Sequence, residues 1–230
     1  MVEKLPGIRA CVFDAYGTLF DFASAAANCR DAIGDGDAAE RLTALWRDKQ
    51  LQYAWLRAVQ GRHADFWQVT GDALDFAVER LGLTGVAGLR DRLMNLYLRL
   101  EAFPDAHEAL RRVRAGRLAT AILSNGTPAM VAAAVAHAGI GDLLDHVLTV
   151  EEVGVYKPHP SVYQLAVDRL RVPAGSIAFL SSNGWDAYSA AAFGMTAVWC
   201  NRYSQPPERL PGTPAREIRS LAELPPLLGL

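Results

Sequence analysis

Asp14 closes a short apolar run, Cys11-Val12-Phe13, and is followed by Ala15-Tyr16-Gly17-Thr18-Leu19. A carboxylate at the end of a strand-like run lies where open parallel sheets bind their ligands, although a lone Asp there more often caps a helix or forms a turn. Three later segments also place polar groups after apolar runs. Ser124-Asn125-Gly126-Thr127 follows one, Ser181-Ser182-Asn183-Gly184-Trp185-Asp186 follows another, and Lys157-Pro158 lies just ahead of a helical pattern holding Tyr163. Ser, Asn and Asp also cap helices and form turns, so no single segment decides the matter. Four such groups at the same edge of one sheet, with two carboxylates and a lysine among them, point to an active site.

For these groups to meet, the runs before them must be neighbouring strands of one sheet. Strand-like runs cover residues 8–13, 118–123, 146–150, 177–180 and 196–200, and helical patterns cover residues 105–115, 128–139, 161–170 and 186–193. Strand and helix in alternation predict a parallel sheet with helices on both faces, and strands buried on both faces read as unbroken apolar runs. Ligands in such sheets bind beyond the carboxyl ends of the strands, where Asp14 falls. The expected fold class is therefore α/β, with a Rossmann-like parallel-sheet core. Residues 21–100 interrupt the alternation with helical patterns and no convincing strand. That stretch is too long for a crossover and too apolar for a linker. The expected organisation is a core of residues 1–20 and 101–230 and an inserted helical cap of residues 21–100. A Pro-rich stretch at residues 205–214 reads as surface loop.

Within the cap, residues 38–59 form the strongest helical pattern. Arg47, Leu51, Trp55 and Val59 recur every four residues, so an arginine shares a stripe with apolar side chains. An arginine at the edge of a packed face only snorkels, whereas one reaching into a dry pocket holds an anion. Asp48 is turned about 100° from Arg47 on a helix, which leaves two orientations open: toward solvent, or toward the pocket, where it would repel an anionic substrate. Trp46, Tyr53, Trp55, Phe66 and Trp67 are expected mostly in core packing.

Composition excludes several classes. The 230 residues carry 23 Lys and Arg against 25 Asp and Glu, a formal charge of -2, with no long block of one sign. Nucleic acid and anionic membrane surfaces are therefore not expected partners. No apolar run approaches the ~20 residues of a membrane span. The first strand begins near the N-terminus with no signal-peptide pattern, so a cytoplasmic protein is expected. Cys11, Cys29 and Cys200 are odd in number and widely spaced, and read as free thiols. None of the five histidines joins the polar segments, and no spacing suggests a transition-metal site.

The order Asp-x-Tyr-Gly-Thr-Leu, Ser-Asn-Gly, Tyr-Lys-Pro and Ser-Ser-Asn-x-Trp-Asp resembles the haloacid dehalogenase superfamily. More narrowly it is similar to the (S)-2-haloacid dehalogenases, over nearly the whole chain and including Leu45-Trp46-Arg47. The resemblance implies hydrolysis of a short (S)-2-haloacid through an ester on Asp14, with inversion at C2, no cofactor, and a homodimer. It implies that Ser124, the Asn125 backbone and the N–H groups of Ala15 and Tyr16 hold the substrate carboxylate. Arg47, with Asn183 and Trp185, would receive the halide. Lys157 would keep Asp14 ionised and Asp186 would act as base. Thr18, Tyr163 and Ser181 would orient these groups, and Tyr16, Leu51, Phe66 and Trp185 would form an apolar wall. Phosphatases of the superfamily hold magnesium, a hard ion that wants carboxylate oxygens. Here Tyr16 stands at their second acid, and Ser181, Ser182 and Asn183 stand where a metal-binding acid is expected. A magnesium-dependent phosphatase and a catalytically silent binding protein are the alternative readings.

Overall fold

The computed structural model describes residues 4–22, 33 and 36–230. Its centre is a parallel sheet built from β1 (Ala10–Phe13), β2 (Ala119–Ser124), β3 (His146–Thr149), β4 (Ile177–Ser181), β5 (Thr196–Cys200) and β6 (Arg216–Ile218), in the order β3-β2-β1-β4-β5-β6. Every pairing is parallel. All four β1 residues are fully buried, and so are Ile177, Ala178, Phe179 and Leu180 of β4. Each large apolar side chain removed from water in this way contributes about 1.5–3 kcal/mol, which fixes the strand order around β1. The switch in winding direction falls beside β1, the position at which open α/β sheets leave a crevice for ligands.

The helices of this layer are α4 (Ala106–Ala115), α5 (Pro128–Ala138), α6 (Pro160–Leu170) and α7 (Gly184–Phe193). Local chemistry starts and stops them. Thr127 caps α5 by accepting from Met130 N at 3.2 Å, Pro128 opens its first turn, and Gly139 closes it with φ of 65°. Between β1 and α4 lie α1 (Gly36–Gln60), α2 (Phe66–Arg80) and α3 (Leu89–Leu96), which add no strand to the sheet. The chain leaves for this insertion and returns from it side by side: Phe20 and Ala102 form an antiparallel bridge, Asp21 N donates to Glu101 O, and Phe103 N donates to Leu19 O.

Three expectations need correction. β6 and a short C-terminal helix, α8 (Leu224–Leu228), were not anticipated; three residues at the sheet edge are too few to show a period. Val59, expected on the apolar stripe of α1, is 87% exposed, while its neighbour Ala58 packs against the core. The row that α1 buries is instead Leu42, Trp46, Gln50 and Ala54. Burial pushes the Cys11 thiol up to about 12 and the Cys200 thiol up to about 11, so both are inert. Cys29 lies outside the described residues. Asp48 is exposed, the first of the two orientations left open. Among the described residues no helix is long and apolar enough to cross a membrane.

Asp105 ties the C-terminal part of the sheet to the loop after β1. Its Oδ2 accepts from Arg202 Nη1 (2.8 Å), Ser220 Oγ (2.6 Å) and Leu221 N (2.8 Å), and its Oδ1 accepts from Arg202 Nη2 (2.9 Å). Arg202 also donates to Thr18 O at 3.0 Å. Burial alone would raise the Asp105 carboxyl, but the bonds from Arg202, Ser220 and Leu221 prevail and hold it below its usual 3.8. A depressed carboxyl contributes stability above that value and loses it as pH falls through the folded pKa. Asp105→Asn should therefore cost about 2–4 kcal/mol near neutral pH, read from denaturant midpoints, and should flatten the acid limb of the stability curve.

Candidate active site

The sheet register delivers the nucleophile. Phe13 pairs with Leu180 in β4, and Asp14 N continues the ladder by donating to Leu180 O at 2.8 Å. Asp14 therefore stands beside Ser181, the last residue of β4. Its two carboxylate oxygens are treated differently. Oδ2 accepts from Asn183 Nδ2 (2.7 Å), Thr18 Oγ1 (3.2 Å) and Ser181 Oγ (3.2 Å). Oδ1 accepts from Lys157 Nζ at 3.1 Å.

Lys157, from the loop between β3 and α6, is 1% exposed and bridges two carboxylates. Its Nζ lies 2.9 Å from Asp186 Oδ2 as well as 3.1 Å from Asp14 Oδ1. Burial by itself disfavours the ammonium, but the two carboxylates outweigh it and raise Lys157 above its usual 10.5. Asn125 fixes this loop: its Oδ1 accepts from Lys157 N at 3.0 Å. Asp186 sits in the first turn of α7, where the helix dipole favours an anion, and it is fully buried. Tyr163 Oη donates to its Oδ1 at 2.7 Å. Desolvation raises the Asp186 carboxyl above its usual range, with Lys157 opposing and Asp14 adding to the rise.

Arg47 comes from α1, on the inserted segment, and meets this group through an amide. Its Nη2 donates to Asn183 Oδ1 at 3.2 Å, while Asn183 Nδ2 donates to Asp14 Oδ2. Asn183 occupies the N-cap position of α7, yet its side chain makes no cap bond. That side chain is turned instead toward Asp14, Tyr16 O (3.3 Å) and Arg47. A residue type that reads as a helix cap is thus spent on the site.

Aromatic side chains close the surroundings. Tyr16 is buried, stacks against Phe66 with centroids 6.3 Å apart, and meets Tyr97 edge-on at 5.3 Å. Burial drives its phenol far above the usual range, so it stays neutral. Gly126 makes room for it, since a Cβ there would stand 2.7 Å from Tyr16 Oη. Trp185 of α7 meets Trp55 of α1 edge-on at 5.4 Å, so the insertion and the sheet layer touch across the site. Leu51 is half-buried on α1.

The structure thus brings Asp14, Thr18, Lys157, Tyr163, Ser181, Asn183 and Asp186 into one bonded cluster and links Arg47 to it. Ser124 is buried at the end of β2, where its Oγ accepts from Gly126 N at 3.0 Å and shapes the loop. His63 pairs with Glu151 and His137 with Glu101, away from this cluster. Gln50, Thr70 and Tyr97, fully buried polar side chains beside Arg47, escaped the sequence reading. The available signal was a glutamine four residues from both Trp46 and Ala54, in the row that packs inward.

A carboxylate after the central strand of a parallel sheet, paired with a buried lysine and overhung by inserted helices, is an arrangement suited to a hydrolase with a carboxylate nucleophile. The family model for haloacid dehalogenase-like hydrolases matches residues 8–194. The chain is 46% identical over 221 residues to (S)-2-haloacid dehalogenase 1 of Pseudomonas sp. (strain CBS-3), covering 96% of each. It is 44% identical over 228 residues to (S)-2-haloacid dehalogenase 4A of Burkholderia cepacia, covering 99% of this chain and 96% of that one. Among solved structures it matches a dehalogenase at a TM-score of 0.93 and 44% identity, covering 98% and 99% of the two chains. It also matches the L-2-haloacid dehalogenase from Xanthobacter autotrophicus with chloropropionic acid covalently bound, at a TM-score of 0.88 and 37% identity over 96% and 98%. This chain belongs to the haloacid dehalogenase-like hydrolases and, within them, to the (S)-2-haloacid dehalogenases.

Proposed function

We propose that this protein hydrolyses short (S)-2-haloalkanoic acids to (R)-2-hydroxyalkanoic acids and halide, through an ester on Asp14. The observation that carries the reading is the Asp14 carboxylate itself. Three donors hold Oδ2, and Oδ1 takes Lys157 alone. The less encumbered Oδ1 keeps a lone pair for attack on C2, with the Lys157 ammonium 3.1 Å away. Attack from the side opposite the halogen forms the C2–Oδ1 bond, breaks the carbon–halogen bond and inverts C2. Halide leaves toward the Arg47 guanidinium, with Asn183 and Trp185 beside it. A weakly hydrated, permanently charged group suits that task.

Water then adds to the carboxyl carbon of Asp14, and the tetrahedral intermediate collapses by breaking that carbon's bond to the ester oxygen. The hydroxy acid leaves, and the carboxylate is restored with one oxygen from water. Asp186, raised by desolvation, takes a proton from that water and returns it to the leaving alkoxide oxygen. The second water proton is released as Asp14 returns to its carboxylate; Tyr163 and Lys157 hold Asp186 in place. Ser124 and the backbone N–H groups of Asn125, Ala15 and Tyr16 receive the substrate carboxylate. Tyr16, Leu51, Phe66 and Trp185 wall the site against water. Residues 21–100 act as the cap and residues 1–20 and 101–230 as the core, in a cytoplasmic homodimer.

No step uses a metal or other cofactor. Among the described residues no three His, Cys, Asp or Glu side chains group as ligands, and the two oxygens of Asp186 already accept from Lys157 and Tyr163. The test is chloride release from (S)-2-chloropropionate with chiral analysis of the lactate. (R)-lactate formed equally well with and without a chelator is the expected result. Chelator-sensitive phosphatase activity without halide release would replace this reading with the phosphatase one.

A further inference from the structure

One buried group beside the site has no part in the scheme above. Gln50 is fully buried, and a primary amide there is costly unless both its ends are bonded. Both are. Its Oε1 accepts from Arg47 Nη1 at 2.7 Å, and its Nε2 donates to Thr70 Oγ1 at 2.7 Å and Tyr97 Oη at 2.9 Å. Thr70 spends its one hydroxyl proton on Phe66 O at 2.6 Å, so its oxygen is left to accept. That fixes which way the amide points: its nitrogen faces Thr70 and its oxygen faces Arg47. The guanidinium is then gripped at both ends by amide oxygens, Gln50 on Nη1 and Asn183 on Nη2.

The chemistry of the grip matters as much as its geometry. A carboxylate would orient a guanidinium equally well and would also offset its charge. Among the described residues no carboxylate lies within salt-bridge distance of Arg47, although other described residues form ion pairs through Asp or Glu eleven times. Neutral acceptors orient the cation and leave its charge for an incoming anion.

We propose that Gln50 is a positioning residue that aims the Arg47 guanidinium at the departing halide while leaving it uncompensated. This rests on the reading of Arg47 as the halide site. Gln50→Met keeps the length and removes the acceptor, so the guanidinium swings free. Gln50→Glu keeps the acceptor and supplies the opposing charge. Each should lower turnover of (S)-2-chloropropionate about thirtyfold, the size expected for losing one charge-assisted bond in a dry site. Each should lower turnover of the bromo substrate less, because bromide leaves more readily and needs less help. Inhibition by added bromide should weaken in both. A purely structural glutamine would lower the melting temperature and leave the chloro-to-bromo ratio and the bromide inhibition unchanged.

Crystal structures of the two variants supply a readout independent of activity, with Arg47 withdrawn from Asn183 in Gln50→Met and retained in Gln50→Glu. A folded Gln50→Met protein with turnover within about threefold of the parent, an unchanged halogen ratio, or Arg47 undisturbed in the crystal would overturn the proposal. If Gln50→Met does not fold, Gln50→Glu with near-parental turnover and bromide inhibition overturns it. A parent enzyme that releases no halide would instead remove the dehalogenase reading, and Arg47 placement in the variant crystals would then decide Gln50's positioning role.

Discussion

One turnover of excess enzyme on (S)-2-chloropropionate in ¹⁸O-labelled water should leave the label on the Asp14 side chain and none in the first lactate. The oxygen that reaches C2 belongs to Asp14, and solvent enters only when the ester is cleaved at the carboxyl carbon. Over many turnovers the label passes on into product. Mass spectrometry of the peptide holding Asp14 reads both stages. Asp14→Ala removes the attacking atom, and kcat/KM should fall by ~10⁴-fold or more with the fold intact, because the remaining donors surround a reaction that has lost its nucleophile. Label found directly in first-turnover lactate would mean that water attacks C2, and Asp14 would then be a base.

Lys157→Met is the second large effect, and it reaches both activity and stability. The ammonium lies between Asp14 and Asp186 with 1% exposure. Without it two carboxylates face each other in a dry pocket, where like charges disfavour ionising both. Removing one partner of such a cluster costs about 3–5 kcal/mol. Turnover should drop by ~10³-fold, and the acid limb of the kcat/KM profile should move to higher pH. In the parent the sign is opposite. Lys157 is raised above its usual 10.5, so its contribution is complete below that value and is lost only as pH rises past the raised one. A variant whose acid limb stays where the parent's lies would show that Lys157 does not hold Asp14 ionised.

The two variants probe different parts of one cluster. Asp14 is placed by strand register alone, since its backbone continues the β1–β4 ladder. Lys157 is placed by a loop whose backbone is pinned by the Asn125 side chain. A defect in the first removes the attacking oxygens and one partner of Lys157, and a defect in the second also loosens the loop.

Five of the six strands, and the carboxylate that follows the first, were legible in the chain because both are local. Apolar runs buried on two faces announce themselves within five or six residues, and the carboxylate sits at the end of one. Tyr16 in place of a second acid was equally legible, as were the Ser181–Asp186 segment and Arg47. What no local pattern carried was the allocation of hydrogen bonds. Asn183 reads as a helix cap and spends its amide on Asp14 and Arg47. Asn125 reads as a turn former and holds Lys157 from 32 positions away. Gln50 sits in a row otherwise apolar and orients Arg47 through partners 20 and 47 residues distant. Periodicity reports which side of a helix faces inward; only packing α1 against α2 and the Tyr97 segment decides which buried amide finds which donor. The chain by itself therefore determined the sheet, the insertion and the reacting atoms, since each depends on neighbours in sequence. The tertiary structure decided how the charges are aimed, because a hydrogen bond between distant segments has no period to read.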